Sequence, residues 1–135
     1  MKYNMEDLYW ADWDEIGENT NELKTIFDYI KNSNEFSLEE LSGVLKLYNN
    51  PHGAYTIEFA RIVSEIYIKD KIKFIKALNL VKDEIPNLVY AFRMEKVFED
   101  EDIELNQILS LKKLSQEEID TANFFFKMYK TICSS

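Results

Sequence analysis

Over residues 37 to 69, and again over 71 to 98, an apolar stripe with helical spacing meets a short polar break and then a second stripe of the same kind; residues 103 to 132 repeat the arrangement more loosely. Each stripe is one face of an amphipathic helix. Two such helices make a unit of about 30 residues that cannot close its own core, so its remaining apolar surface must be buried on a neighbour. The pattern therefore predicts stacked helix pairs. It speaks to architecture and not to chemistry.

Within that plan the starts and stops are written in the side chains. Residues 1 to 19 read as an acidic, aromatic lead-in, in which Leu8, Trp10, Trp13 and Ile16 line one side of a short helix broken at Gly17. Leu23, Ile26, Phe27 and Ile30 keep helical spacing behind Asn19, Thr20 and Asn21, any of which suits the cap position. Ser37 stands three residues before Glu40, the spacing at which each side chain satisfies the other's exposed backbone N–H, and a helix over 38–48 follows. The run Asn49-Asn50-Pro51-His52-Gly53 ends it, since it joins turn formers to a proline.

The helix predicted over 54–69 carries Tyr55, Phe59, Ile62, Val63 and Ile66 on one side and Ile57, Ala60 and Ile68 on another, which places it in the middle of a packed layer. Asp70 suits the cap of a helix over 71–82 with Phe74, Ala77, Leu78 and Val81 inward, and Pro86 suits the first turn of the next. Ser115 and Glu118 repeat the spacing of Ser37 and Glu40 ahead of a last helix over 116–132. Its core stripe is Ile119, Ala122, Phe125, Phe126, Tyr129 and Cys133, with Phe124 and Met128 one turn apart on another face.

Sliding the chain on itself by 33 places sets residues 41–49 over 74–82 and matches Leu41 with Phe74, Val44 with Ala77, Leu45 with Leu78 and Leu47 with Leu80. On this pattern residues 37 to 132 resemble HEAT or armadillo-type stacked helix pairs. The expectation is an all-α domain spanning 1–135, with six to seven helices packed as stacked antiparallel pairs in a short HEAT-like solenoid or a compact orthogonal bundle. The resemblance implies a curved helical surface for binding partners and transfers no catalytic residue.

Composition agrees with that class. The chain is 46% apolar with 17 Phe and Tyr and 2 Trp, too rich for disorder, while 3 Gly and 2 Pro leave little material for the turns of a β-sandwich. No apolar run approaches the roughly 20 residues of a membrane span, and Met1 to Trp13 has no basic region followed by an apolar stretch. The expectation is a soluble protein, cytoplasmic by default or exported with its signal removed. A net charge of −9 repels phosphates and anionic lipid, which argues against nucleic acid and membrane as partners and for a basic protein. Weak self-association through the segregated charge, lysines over 69–82 and acids over 95–104, is compatible with the same composition. The abundance of Lys, Asn, Ile and Glu suggests an AT-rich, bacterial genome.

Groups for catalysis are sparse. His52 is the single histidine, so no His pair can hold zinc and no Ser-His dyad has an evident partner. Cys133 is alone, near the end of a helix, where the dipole raises a thiol pKa. Asp100, Asp102 and Glu104 alternate as calcium ligands do in an EF-hand loop, but Leu105 stands in place of the required glycine and Leu111 in place of the bidentate glutamate. Gly17, Gly43 and Gly53 are isolated, so no phosphate loop exists, and no spacing distinguishes a catalytic pair such as Asp12 and Asp14 from other carboxylates. No catalytic residue, metal or cofactor is expected.

Four residues stand out as candidates for partner binding. Trp10 and Trp13 join large aromatic surface to the negative charge of Asp12, Asp14 and Glu15, and Phe124 with Met128 forms the second apolar face of the last helix. The competing expectation, favoured by the shared face of the two tryptophans, is that Trp10 and Trp13 dock the lead-in on the core and that the lead-in or a loop covers Phe124 and Met128. The expectation is a non-enzymatic helical-repeat interaction module. The alternatives are a small acidic inhibitor of the bacterial immunity-protein kind, capping a basic toxin, and an enzyme that uses carboxylates alone.

Overall fold

Helix starts are set by side chains that turn back onto exposed backbone N–H groups. In the computed structural model, which describes residues 3–32, 36–47 and 54–134 apart from the side chains at 17, 20, 54, 55, 133 and 134, most helices begin this way. Asn4 accepts from Glu6 and Asp7, Asp12 from Asp14 and Glu15, Asp70 from Lys73, and Asp100 from Asp102 and Ile103. Asn19, among the three cap candidates, accepts from the Glu22 N–H at 3.1 Å. Both expected capping boxes are present, with Ser37 and Glu40 exchanging two 3.1 Å bonds and Ser115 and Glu118 exchanging bonds of 2.8 and 3.2 Å.

The described residues are all-helical, without a strand. They form nine α-helices: α1 Met5–Tyr9, α2 Trp13–Glu18, α3 Thr20–Asn32, α4 Leu38–Lys46, α5 Ala54–Lys69, α6 Lys71–Leu80, α7 Ile85–Glu95, α8 Glu101–Ser110 and α9 Gln116–Ser134, with a 3-10 turn at Lys82–Glu84 between α6 and α7. Six to seven helices were expected. One of the additional helices lies in the lead-in, which is two helices and not one: α1 stops at Tyr9, Asp12 caps a fresh start, and α2 runs through Gly17 instead of breaking there. The turn at 49–53, with His52, and residues 33–35 and Tyr48 lie outside the described residues.

α5 packs most extensively on α7 and also on α3; α4 packs on α6 and α1; α7 and α6 both meet α9, which α8 covers as well. The stripes explain these contacts. Phe59, Ala60, Ile62 and Val63 of α5 are buried, as are Phe74, Ala77 and Leu78 of α6, and Ala122, Phe125, Phe126 and Tyr129 of α9. Ile119 is half-buried, and the Cys133 side chain lies outside the described residues.

Two expectations for α5 are corrected. Ile57 and Ile68 face solvent, because eleven residues turn the helix to within about 20° of the same direction, whereas Ala60 lies about 60° or more away on the covered side. Ile66 is half-buried, and the fully buried large residue of that turn is Tyr67. Its ring sits 5.3 Å from Phe74, 5.2 Å from Phe92 and 5.6 Å from Phe98. Phe92 in turn meets Phe125 of α9 at 5.2 Å. Edge-on aromatic contacts of this kind join α5, α6, α7 and α9 into one interior.

Candidate partner-binding site

α1 lies on α4 at a separation that only a glycine permits. A Cβ built on Gly43 would stand 2.7 Å from the Met5 Cβ, the root of that side chain and hence not a group that can swing away. Met5 and Leu8 are the buried residues of α1, so the helix is held by two apolar anchors on one face while Glu6 and Asp7 point outward from its first turn. Between the helices runs a groove of about 260 Å³ lined by Met5, Glu6, Tyr9 and Trp10 from α1 and by Glu39, Ser42, Gly43 and Lys46 from α4.

Trp10 stands at the end of this groove and is 76% exposed, the most exposed large hydrophobic side chain among the described residues. Its placement follows from the helix ends around it. Trp10 caps α1, its N–H bonding the Glu6 carbonyl at 3.2 Å, and the Ala11 N–H bonds the Leu8 carbonyl at 3.2 Å. Asp12 then opens α2. Held between two helix termini, the Trp10 ring meets the Tyr9 ring edge-on with centroids 5.0 Å apart, and the Lys46 ammonium lies 5.9 Å from the Tyr9 centroid on the other wall.

Trp13 does something different. It is buried, only 6% exposed, and its indole N–H donates to the Leu8 carbonyl at 2.7 Å, which satisfies the one polar atom of the ring. The two tryptophans do not share a face, because the chain between them leaves one helix and begins another. Trp13 ties α2 to α1, and Trp10 is displayed. Phe124 is 52% exposed on α9, beside an open depression of about 390 Å³ formed with Lys82, Ile85, Glu117, Asp120 and Thr121. Met128, one turn on, is half-buried and packs against the core. The four candidates are therefore not one surface: Trp10 and Phe124 are exposed on separate helices, Trp13 is interior, and Met128 is partly so.

Charge is distributed unevenly around the groove. The first 40 residues carry eleven acids against three lysines, a net −8 out of the whole chain's −9. The remaining 95 residues are nearly balanced, and several of their charges are paired within the fold. Lys71 meets Glu104 at 2.8 Å, Lys76 meets Glu118 at 2.9 Å, Lys82 meets Glu117 at 2.6 Å and Lys130 meets Asp102 at 2.9 Å. Of the lysines over 69–82, Lys71 thus reaches the acids of 95–104 within the fold, while Lys76 and Lys82 turn to α9.

The alternating acids of the failed calcium loop are dispersed in the same way. Asp100 caps α8, Asp102 reaches Lys130, and the Oε2 of Glu104 accepts the Tyr67 hydroxyl at 2.5 Å while pairing with Lys71. Burial, reinforced by the bond and by the negative charge of Glu104, pushes the Tyr67 hydroxyl pKa far above its usual value. Glu118 is held below the usual carboxylate range, first by the Ser115 N–H and then by Lys76, and Glu117 likewise by Lys82. Among the described residues no group of three His, Cys, Asp or Glu side chains converges as metal ligands would, and no helix is long and apolar enough to cross a membrane. No protein-family model, no curated protein and no solved structure matches the chain.

Proposed function

We propose that this protein is a non-catalytic helical-repeat module that docks another protein in the groove between α1 and α4, with Trp10 as its anchor. The observation that carries the reading is the exposure of Trp10 at the groove's end. Leaving a tryptophan in water forgoes the roughly 2 to 3 kcal/mol that burying a large apolar side chain provides, and aromatic anchors of this kind dominate binding energy at protein interfaces. The caps on either side fix the backbone at Trp10, and the Tyr9 ring meets its indole edge-on, which lowers the entropy lost on binding.

The packing supports a repeat arrangement, as in HEAT-like solenoids. Alternate helices pack along one row, α3 with α5, α5 with α7 and α7 with α9, and α4 packs on α6, while α6 also meets α9 and α1 meets α4. Among the described helices α1 to α3 stand at one end of this arrangement, with α1 on α4 and α3 on α5. The concentration of negative charge at that end favours a second reading, a small acidic inhibitor that caps a basic toxin. An inhibitor would need its acids to form the contact and would tolerate loss of Trp10.

A photo-crosslinking amino acid placed at Trp10, and separately at the exposed Leu80 of α6, tests the docking site in the cells that make the protein. The reading expects one discrete product from position 10 that position 80 does not give. Identical products from both positions, or none from position 10, would overturn it.

A further inference from the structure

The groove already holds a cation against one of its rings. Lys46 of α4 brings its ammonium to 5.9 Å from the Tyr9 centroid, and the larger Trp10 ring, the better platform for a positive charge, lies beside it with most of its surface in water. Carboxylates stand on both walls, Glu6 from α1 and Glu39 from α4. Beyond the walls, Asp7, Asp12, Asp14 and Glu15 are exposed in the first turns and caps of α1 and α2.

We propose that the groove accepts a basic segment of the partner, with an arginine or lysine side chain laid on Trp10 and its charge shared between Glu6 and Glu39. The proposal rests on the docking reading above and adds the chemistry of the occupant. Two physical terms support it. A cation–aromatic contact strengthens when water is excluded, which a groove does better than a flat surface. The net −8 of the first 40 residues gives the molecule a directional field that draws a basic partner to this end and repels phosphate and anionic lipid. A polar end is also what a stack of helices needs for solubility, but solubility alone gives no reason to place a tryptophan there. A second copy of the chain is a poor occupant, since Lys71, Lys76 and Lys82 of its lysine-rich stretch are already ion-paired within the fold.

Random peptides displayed on phage, selected against the immobilised full chain and then measured in solution with Trp10→Ala and Glu6→Gln/Glu39→Gln variants, test the inference. Enriched peptides are expected to carry arginine or lysine next to apolar residues. Trp10→Ala, with an unchanged helical spectrum, should weaken them at least about tenfold, and the double glutamine variant and added salt should weaken them several-fold. Enrichment of acidic or uncharged peptides that still need Trp10 would overturn the basic-segment assignment and leave the docking groove standing. Enriched peptides indifferent to Trp10, or no enrichment at all, would overturn both.

Discussion

Replacing Gly43 by alanine opposes two effects of known size. A glycine inside a helix is worse than alanine by roughly 0.5 to 1 kcal/mol, so on α4 alone the substitution should stabilise. Against this stands the Met5 Cβ at 2.7 Å, closer than two such carbons can sit. Because the obstacle is the root of a side chain fixed to α1, relief requires the whole helix to move, and overpacking of this kind costs about 1 to 3 kcal/mol. The ceiling is the energy that holds α1 in place. Burial of Met5 and Leu8 contributes roughly 1.5 to 3 kcal/mol each, and beyond that α1 undocks instead of straining further. The expected result is a net loss of about 1 to 2 kcal/mol in urea denaturation, with a changed Trp13 emission because its indole is bonded to the Leu8 carbonyl of α1. In a Met5→Gly background the obstacle is gone, so Gly43→Ala should there become neutral or stabilising. A gain of about 1 kcal/mol from Gly43→Ala in the parent chain would refute the account of how α1 sits on α4.

Phe92→Ala should cost about 3 to 5 kcal/mol, since the ring joins Tyr67, Phe74, Phe98 and Phe125 from separate segments, and a shift in urea midpoint worth less than about 1 kcal/mol would remove it from the centre of the core. Tyr67→Phe removes one bond to Glu104 and leaves Lys71 in place, for an expected loss of roughly 1 to 2 kcal/mol at neutral pH. Since the folded-state pKa of Tyr67 is raised, the unfolded chain ionises first, so this contribution is complete below about pH 10 and declines above it. Alkaline denaturation of the parent should therefore steepen relative to Tyr67→Phe. Glu118 has the opposite sign: its folded pKa is lowered, the unfolded state binds the proton more readily, and stability should fall as pH drops below about 4.3, less so in Glu118→Gln. Parallel acid melts for parent and variant would contradict this.

Helix starts were the most legible part of the fold, because a cap is a local bond between residues two or three apart. Ser37, Asp70 and Ser115 announce their helices without reference to anything distant. Stripes were legible where one face is covered, as in α9, and less so in α5, where Ile57 and Ile68 resemble core residues but stay exposed. The burial of Tyr67 was not visible in the sequence, since it depends on Glu104, 37 residues away, supplying a partner for the hydroxyl. At the candidate site the sequence shows the aromatic and acidic lead-in but pairs the wrong residues. Trp10 and Trp13 suit one helical face by spacing, and only the cap at Asp12 separates them. The signal was present, an aspartate two and three residues before Asp14 and Glu15, the composition of a helix start. The groove itself was hidden, because Gly43 marks it only once α1 is known to lie against α4.

The claim that Trp10 serves binding and not folding is tested most directly by calorimetric titration of the protein that crosslinks at position 10 against the parent chain and Trp10→Ala. With the ring so largely in water, the unfolding midpoint should change by no more than about 0.5 kcal/mol in free energy, while the dissociation constant should rise at least about tenfold. Equal affinity of the two proteins for that partner would contradict the account.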